Sequence, residues 1–221
     1  MSFIVAIDGP AGTGKGTVTK IIAEKMNLIN IDTGATYRCV ALDMLNKNIK
    51  LDEEEKIKEL LENIEIEFKN DNGNQLVFLN NNDVTKEIRS KRVTECVSQV
   101  SAIKQVRLAM ADLQRKMGLQ QDSIMEGRDI GTYVFPNADV KIYLDADVEE
   151  RAKRRFLQNQ EKNIDMSYEE ILQNIKMRDE NDKAKEIGAL KVADDAIVID
   201  TTHLTIDEVV NKIVNIIGSK K

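Results

Sequence analysis

The sequence predicts an α/β fold in which helices flank a parallel β-sheet, with a small antiparallel β insertion and a helical lid. Two observations carry this prediction. Apolar, β-branched runs suited to buried strands recur between helical patterns at residues 3–8, 28–32, 123–126, 140–145 and 196–200. A glycine-rich turn follows the first run, where such a sheet gathers its ligands. The length of 221 residues suits one domain, residues 1–221, with insertions.

The first predicted strand ends at Asp8 and opens into Gly-Pro-Ala-Gly-Thr-Gly-Lys-Gly-Thr at residues 9–17. Gly9, Gly14 and Lys15 fit the pattern G-x-x-x-x-G-K of a phosphate-binding loop, or P-loop. In such a loop backbone N–H groups surround the phosphates, and the lysine reaches the β and γ oxygens. Because a helical pattern follows, a helix N-terminus is also expected to face the anion.

Magnesium ligands are predicted at two positions. Gly16 stands where a serine or threonine usually holds the ion, and Thr17 is the candidate to replace it. Glu126 ends the third predicted strand and is the candidate carboxylate. Magnesium prefers few carboxylates together with phosphates and waters, so one acid and one hydroxyl suit it.

Two further turns follow predicted strands and carry arginines. Asp-Thr-Gly-Ala-Thr-Tyr-Arg occupies residues 32–38, and Glu-Gly-Arg-Asp-Ile-Gly occupies residues 126–131. Loops at the carboxyl ends of parallel strands gather ligands. We therefore expect Arg38 to reach an acceptor phosphate, because the planar guanidinium binds phosphate through two hydrogen bonds.

Two segments interrupt the βα alternation. Apolar residues at 64–68 and 75–79 flank a polar turn at 70–74, which predicts an antiparallel hairpin inside an inserted sub-domain of about residues 62–90. Residues 151–162 concentrate five positive charges in an acidic chain. Beside a P-loop, this pattern favours a mobile lid of about residues 151–168 whose arginines face phosphate.

The starts of the last two helices are predicted by capping boxes. Ser167 with Glu170, and Thr205 with Glu208, have the spacing in which each side chain satisfies the other residue's backbone N–H group. The final helix is apolar on one side and is expected to cover a face of the sheet.

Composition excludes several classes of protein. A net charge of −6 argues against general binding to nucleic acid or to a membrane surface. No run approaches eighteen apolar residues and no signal peptide is visible, so we expect a cytoplasmic protein, and a monomer. Cys39 and Cys96 are expected to be reduced core residues. The single histidine, His203, is expected in a surface loop and excludes a multi-histidine zinc site.

A P-loop alone does not separate a kinase from a GTPase, an ATPase motor or a nucleotide-binding regulator. No D-x-x-G and N-K-x-D motifs stand at matching positions, which argues against a switch GTPase. A kinase acting on a phosphate needs a second, arginine-lined anion pocket, and the arginines noted above suit it. Two alternatives stay open. One is a P-loop kinase for another small molecule, with Asp32 as base for a hydroxyl acceptor, and the other is a non-enzymatic regulator.

Four motifs in order resemble those of the bacterial-type cytidylate kinases, members of the nucleoside monophosphate kinase group. They lie at residues 9–17, 32–38, 126–132 and 178–182, and the resemblance covers essentially the whole chain. It implies transfer of a phosphoryl group from ATP to CMP or dCMP, with Mg²⁺ bridging donor and acceptor. The predicted partners are therefore small nucleotides.

The candidate site residues fall into four sets. Those for ATP are Gly9, Pro10, Ala11, Gly12, Thr13, Gly14, Lys15, Gly16, Thr17 and Arg155. Those that the resemblance implies for the transfer step are Lys15, Arg128 and Arg178. Those that it implies for the acceptor nucleotide are Thr33, Arg38, Ser98, Arg107, Arg128, Asp129, Arg178, Asp182 and Lys185. Those for magnesium are Thr17 and Glu126.

The resemblance also assigns parts of the acceptor. Ser98, Arg107 and Asp129 would read cytosine, and Asp182 would hold the ribose hydroxyls. A carboxylate suits the amino group of cytosine, whereas uracil reverses this preference. Three residues depart from the family pattern, which often has arginine, proline and serine at these positions: Lys185, Ala189 and Ala11.

Overall fold

The computed structural model describes residues 2–71, 74–161 and 163–221. Its strands are β1 (Ile4–Asp8), β2 (Ile29–Asp32), β3 (Ile66–Asp71), β4 (Asn74–Leu79), β5 (Asn82–Asp83), β6 (Ser123–Gly127), β7 (Val140–Asp145) and β8 (Ile197–Asp200). Its α-helices are α1 (Lys15–Met26), α2 (Thr33–Asn46), α3 (Glu54–Asn63), α4 (Lys91–Val100), α5 (Lys104–Gly118), α6 (Val148–Glu161), α7 (Tyr168–Lys183) and α8 (Ile206–Gly218). A 3₁₀ turn spans Glu87–Arg89 and a π turn spans Ile130–Val134.

Five strands form a parallel sheet in the order β2-β6-β1-β7-β8, which confirms the predicted fold class. Each of the five predicted apolar runs is a strand of this sheet. Successive residues of β1 point to opposite faces. Val5 and Ile7 pack in a cluster with α1 and α8, whereas Ala6 packs in another with Ala111 of α5. Helices therefore cover both faces, and the carboxyl ends of the strands lie along one shared edge.

A three-stranded antiparallel sheet, β3-β4-β5, is inserted between α3 and α4. The pairing of Ile66 with Leu79 and of Phe68 with Val77 confirms the predicted hairpin. Strand β3 begins two residues later than Ile64, because α3 ends at Asn63 and Ile64 caps it in an extended conformation. Part of the predicted turn, residues 72–73, lies outside the described residues.

Helices α6 and α7 pack against each other around a small apolar cluster of their own. Ala152, Ile171 and Ile175 are buried in it, and the rings of Phe156 and Tyr168 meet edge to face at a centroid distance of 6.4 Å. The segment of residues 151–168, which the sequence predicts to be a lid, covers most of α6, the loop after it and the first residue of α7, and its residue 162 lies outside the described residues. Both predicted capping boxes are present, at the starts of α7 and α8.

The remaining expectations concern the cysteines, the histidine and membrane segments. Cys39 is buried, Cys96 is partly buried, and both are free thiols. His203 is exposed in the loop between β8 and α8. None of the helices in the described part of the chain combines the length and apolarity needed to cross a bilayer.

Candidate active site

A cleft of about 1990 Å³ lies at the carboxyl edge of the parallel sheet. It is bordered by the P-loop, the inserted sheet and the α6–α7 pair. The structure brings all but two of the candidate residues to its wall: Ala11, Gly12, Thr13, Gly14, Lys15, Gly16, Thr17, Thr33, Arg38, Ser98, Arg107, Glu126, Arg128, Asp129, Arg155, Arg178, Asp182 and Lys185. Gly9 and Pro10 are buried beneath the cleft, where Gly9 lies against the carbonyl of Leu144 in β7.

Lys15 is the first residue of α1, and its side chain is folded against the P-loop. Its Nζ donates to the carbonyl of Pro10 at 2.6 Å and to Thr13 Oγ1 at 3.2 Å. Burial lowers the pKa of Lys15 well below its usual value, and the positive charge of Arg128 lowers it further. The charge of Glu126 opposes this shift, so the lysine and the glutamate lie close enough to influence each other.

The magnesium candidates lie where β2 and β6 end side by side. Asp32 and Glu126 are in register on these strands. Burial raises the pKa of Glu126, and the negative charge of Asp32 raises it further, whereas the charges of Lys15 and Arg128 oppose the shift. A Cβ on Gly16 would lie 3.0 Å from Glu126 Oε1. A serine or threonine at position 16 would therefore require the Glu126 carboxylate to shift by a few tenths of an ångström.

These residues fit magnesium but not a metal held by protein ligands alone. In the described part of the chain, no group of three or more His, Cys, Asp or Glu side chains comes together. Thr17 and Glu126 both line the cleft, and magnesium takes its remaining ligands from phosphate and water.

Asp32 itself is held by two contacts. Its carboxylate accepts from the Ala35 N–H at 3.2 Å as the N-cap of α2, and it pairs with Arg89 Nη2 at 3.0 Å. Beside it, the Thr33 hydroxyl donates to the carbonyl of Glu126 at 2.6 Å. The contact with Ala35 ties the Asp32 carboxylate to α2, and the contact with Arg89 ties it to the inserted segment.

Lys15 and three arginines form a positive cluster in the cleft, and the arginine cluster consists of Arg38, Arg128 and Arg178. Burial lowers the pKa of Arg178 to about 10, with further lowering by Arg128 and Arg38, and the group stays charged at neutral pH. Within the described part of the chain, the Arg178 side chain forms no hydrogen bond or ion pair with another residue. Arg38 donates to the carbonyl of Ile88 and to Thr94 Oγ1, both at 3.0 Å. Such a cluster is stable beside an anion and costs free energy without one.

Asp182 lies at the edge of this cluster with two cations on its carboxylate. Arg128 Nε donates to Oδ2 at 2.9 Å, and Lys185 Nζ donates to Oδ1 at 2.8 Å. Burial alone would raise the pKa of Asp182, but Arg128 and Lys185 outweigh it and hold the pKa at about 2. The carboxylate is therefore ionised and fixed in the place predicted for ribose contact.

A buried ion pair forms the other end of the cleft. Arg107 Nη2 bonds Asp129 Oδ2, and the two side chains are only 4 % and 6 % exposed. Burial raises the pKa of Asp129, although Arg107 opposes the shift. The guanidinium also donates to the Ser101 carbonyl at 3.2 Å and lies over the ring of Tyr37, 5.3 Å from its centroid. This pair offers a carboxylate acceptor and a guanidinium donor side by side.

The two small polar residues nearby are linked to the same wall. The Ser101 hydroxyl donates to the carbonyl of Ser98 at 3.0 Å and receives a bond from Lys185 Nζ at 3.2 Å. Ser98 lines the cleft and is half-buried.

Two arginines of the charged segment that begins at Arg151 bind backbone carbonyls. Arg151 donates to the carbonyls of Ala146 and Ala11, and Arg154 donates to the carbonyls of Thr201 and Thr202. Charge alone could not show that these two guanidinium groups bind backbone. Arg155, in contrast, is exposed at the wall of the cleft.

Sequence reasoning missed two residues of the site. Asp8 is 5 % exposed, and its two oxygens accept from the N–H groups of Ile130 and Gly131, both at 2.8 Å. It thereby fixes the turn that carries Asp129. Gly188 has φ +63°, and a Cβ there would overlap Asp129 Oδ2 and Arg107 Nη2. The strand-end position of Asp8 was a signal, whereas a lone glycine after α7 gave none.

Comparison with known proteins agrees with this geometry. A family profile described as cytidylate kinase matches residues 5–219. A cytidylate kinase of Caldicellulosiruptor saccharolyticus is 51% identical over 212 residues, which cover 96% of this chain and 94% of that protein. One of Lactobacillus johnsonii is 51% identical over 217 residues, covering 98% and 94%. A solved structure of an uncharacterized protein from Eubacterium ventriosum superposes with a TM-score of 0.54 at 13% identity, covering 99% of both chains, and shows the fold alone.

The profile spans nearly the whole chain, and the relatives match it over nearly their whole length. The chain belongs to the cytidylate kinase family.

Proposed function

We propose that the protein transfers the γ-phosphoryl group of ATP to CMP or dCMP, giving ADP and CDP or dCDP. The observation that carries the proposal is the layout of the cleft, in which a P-loop and a separate arginine cluster flank one space beside a buried Arg107–Asp129 pair. A donor phosphate, an acceptor phosphate and a base each have a matching group. The name shared by the curated relatives supports the same substrates.

The chemistry needs little from the protein beyond position and charge. An ionised oxygen of the acceptor phosphate attacks the γ-phosphorus, and the bond to the β–γ bridging oxygen breaks to release ADP. Because the attacking oxygen is already ionised, no general base is required. Lys15 and the loop amides hold the donor, while Arg128 and Arg178 neutralise charge on the transferring group.

Thr17 and Glu126, which both line the cleft, would hold magnesium. When bound, the ion neutralises charge on the donor phosphates. Glu126 keeps its place through the register of β6 with β2, and Gly16 leaves its carboxylate room.

The Arg107–Asp129 pair supports cytosine as the base. The amino group of cytosine can donate to Asp129, and its ring nitrogen and carbonyl can accept from Arg107. Uracil presents a carbonyl where cytosine presents the amino group, so it would face the carboxylate with an acceptor. We assign Ser98 and Lys185, which line the cleft beside this pair, to the base. Asp182 is assigned to the ribose, and Arg38 with Thr33 to the acceptor phosphate.

The two segments outside the parallel sheet receive separate roles. The insertion of about residues 62–90 contributes Arg89 and Thr85 to the cleft and is assigned to the monophosphate. The predicted lid of about residues 151–168, together with the rest of α7, is assigned to closure over the phosphates. Arg155 is assigned to ATP binding.

The free thiols Cys39 and Cys96 suit a reducing compartment, so we assign the protein to the cytoplasm, and we expect a monomer. Light scattering of the purified protein tests the monomer, because a dimer would show twice the mass of one chain.

A coupled assay of ADP formation from ATP and magnesium tests the function. CMP, dCMP, UMP, AMP, GMP and shikimate are compared as acceptors on one plate. Turnover with CMP and dCMP far above the rest is expected. Preference for another acceptor would overturn the cytosine assignment, and turnover with shikimate abolished by Asp32→Asn would favour a kinase with a hydroxyl acceptor. ATP binding without turnover on any acceptor would favour a regulator.

A further inference from the structure

Arg151 lies in the first turns of α6 and is one of the most enclosed cations in the protein. Its side chain is 6% exposed, and that of its ion-pair partner Asp179 in α7 is 12% exposed. Arg151 Nε donates to the Ala146 carbonyl at 3.0 Å, and Nη1 donates to the Ala11 carbonyl at 3.0 Å. Nη1 also lies 2.7 Å from Asp179 Oδ2. One guanidinium therefore joins three parts of the chain.

The contact with Ala11 bears on the P-loop directly. All peptide bonds in the described residues are trans, so the carbonyl of Ala11 and the N–H of Gly12 point in opposite directions across one peptide plane. Because the carbonyl is held by Arg151, the Gly12 N–H points away from that guanidinium, and Gly12 itself lines the cleft. A Cβ on Gly12 would lie 3.1 Å from Arg151 Cβ, so loop and helix are in close contact.

The contact with Asp179 bears on the acceptor side. Asp179 follows Arg178 directly, and Asp182 lies one helical turn further along α7, where it pairs with Arg128. The second oxygen, Asp179 Oδ1, is buried without a hydrogen-bond partner. The carboxylate thus depends on Arg151 for its compensation, and a buried ion pair of this kind is retained only at a cost in desolvation.

We propose that Arg151 and Asp179 are a positioning pair that couples the donor loop to the helix bearing the acceptor-side arginine. Arg151 orients the Ala11–Gly12 peptide for the donor phosphates. Through Asp179 the same guanidinium fixes the position of α7 relative to the P-loop, and with it the positions of Arg178 and Asp182. Neither member touches the substrates. The proposal rests on the proposed kinase function and adds residues that align its two halves.

The test is a double-mutant cycle with Arg151→Lys and Asp179→Asn. A lysine keeps the charge but lacks the planar fork that reaches several acceptors at once. For R151K we expect the KM for ATP and the Kd for ADP to rise about tenfold, as for loss of a charge-assisted hydrogen bond. For D179N we expect kcat/KM for CMP to fall about tenfold, with a smaller change in the KM for ATP. In the double variant the losses should fall well short of the product of the single losses.

Ile213→Val is the matched control. It shortens a side chain of α8 that is buried against the sheet, outside the α6–α7 pair. I213V should lower the melting temperature while leaving both KM values near those of the wild type. If R151K and D179N behave like I213V, or if their effects multiply in full, the pair has no positioning role and the proposal is wrong. Should D179N fail to fold, Asp179→Glu replaces it in the cycle.

The test also separates this proposal from the proposed function. A wild-type protein that does not phosphorylate CMP would overturn the function. The affinity for ADP, measured by calorimetry in wild type and R151K, would still decide the Arg151 part. An unchanged ADP affinity in R151K would overturn that part whatever the acceptor is.

Discussion

In the proposed function, the Arg107–Asp129 pair concentrates the choice of nucleobase in two buried side chains. Each is compensated by the other before any nucleotide binds, so the wall is preorganised. Asp8 and Gly188 hold this pair from two sides, one through backbone N–H groups and the other through close contact. Selectivity should therefore depend on the chemistry of Asp129 rather than on its mobility.

Replacing Asp129 should alter the choice of pyrimidine. Asp129→Ala removes the acceptor for the cytosine amino group, and kcat/KM for CMP should fall about a hundredfold while the KM for ATP changes little. Asp129→Asn can turn either an oxygen or an amino group to the base, so it should narrow the ratio of CMP to UMP. Steady-state kinetics with both acceptors measure this, with Asp194→Ala as an exposed control. An unchanged CMP to UMP ratio in both variants would remove Asp129 from base recognition.

Asp182 should make the free energy of unfolding decrease at acidic pH. Burial raises its pKa, yet Arg128 and Lys185 bring it from the ordinary 3.8 to about 2. A carboxyl with a lowered pKa stabilises the fold above its unfolded pKa, and this contribution is lost as the pH falls towards the folded pKa. It amounts to about 2 kcal/mol at neutral pH.

Urea unfolding of the wild type and of Asp182→Asn tests whether the stabilisation by Asp182 is lost as the pH falls. The difference in unfolding free energy should be at least about 2 kcal/mol at pH 7 and should fall to roughly half by pH 3. Lys185→Met removes one of the two cations and should show a weaker pH dependence than wild type. A difference between wild type and D182N that is the same at both pH values would contradict the assignment.

Individual side chains show where sequence reasoning stops. The P-loop lysine and the strand-end acids could be predicted because their neighbours in sequence define their surroundings. Arg107, in contrast, meets a partner 22 residues away, and Asp8 meets one 122 residues away. Periodicity places such residues on an element, but it does not tell whether a charge faces water, a ligand or a buried partner. Arg151 illustrates this, since its guanidinium binds the carbonyls of Ala146 and Ala11 and the carboxylate of Asp179.

Among the helices and strands, those with local signals were predicted best. The capping boxes at Ser167 and Thr205 are complete within four residues, and both start helices as expected. The strands of the parallel sheet were recognisable because they are buried on both faces and read as continuous apolar runs. The start of β3 was predicted two residues too early, because the apolar Ile64 suits a helix cap as well as a strand.

The α6–α7 pair has a smaller core than the rest of the protein. Among the described residues, three apolar side chains are buried between the two helices, those of Ala152, Ile171 and Ile175, whereas α8 buries Val209, Val210, Ile213 and Ile217 against the sheet. Segments with few buried apolar contacts open at lower free energy than the core. The pair is therefore suited to move.

Hydrogen exchange should detect this opening. Amides of α7 should exchange faster than those of α8 in the free protein, and they should become protected when ADP and CMP are bound together. Helix α8 is the internal control because it lies outside the cleft for most of its length. Equal exchange in the free protein, or no added protection with both nucleotides, would count against a closing lid.

The cleft as a whole is sized for more than one small molecule. Its volume of about 1990 Å³ exceeds the roughly 300–1,000 Å³ of an ordinary ligand pocket. The P-loop borders one part, and the Arg107–Asp129 pair borders another, with the arginine cluster between them. Two nucleotides should therefore lie with their phosphates facing each other across Arg128 and Arg178.

A single molecule that carries both nucleotides should then fill the cleft. Cytidine and adenosine joined 5′ to 5′ through five phosphates would place one base at Asp129 and the phosphate chain along the P-loop and the arginines. Because the second half binds intramolecularly, its affinity should exceed that of either nucleotide alone by about 10²–10⁴. Calorimetry should give one molecule per chain, and small-angle scattering should give a smaller radius of gyration as the α6–α7 pair closes. Two molecules per chain, or an affinity no higher than that for ATP, would mean that the donor and acceptor sites do not face one another. The Arg151–Asp179 link would then join two sites that do not react together.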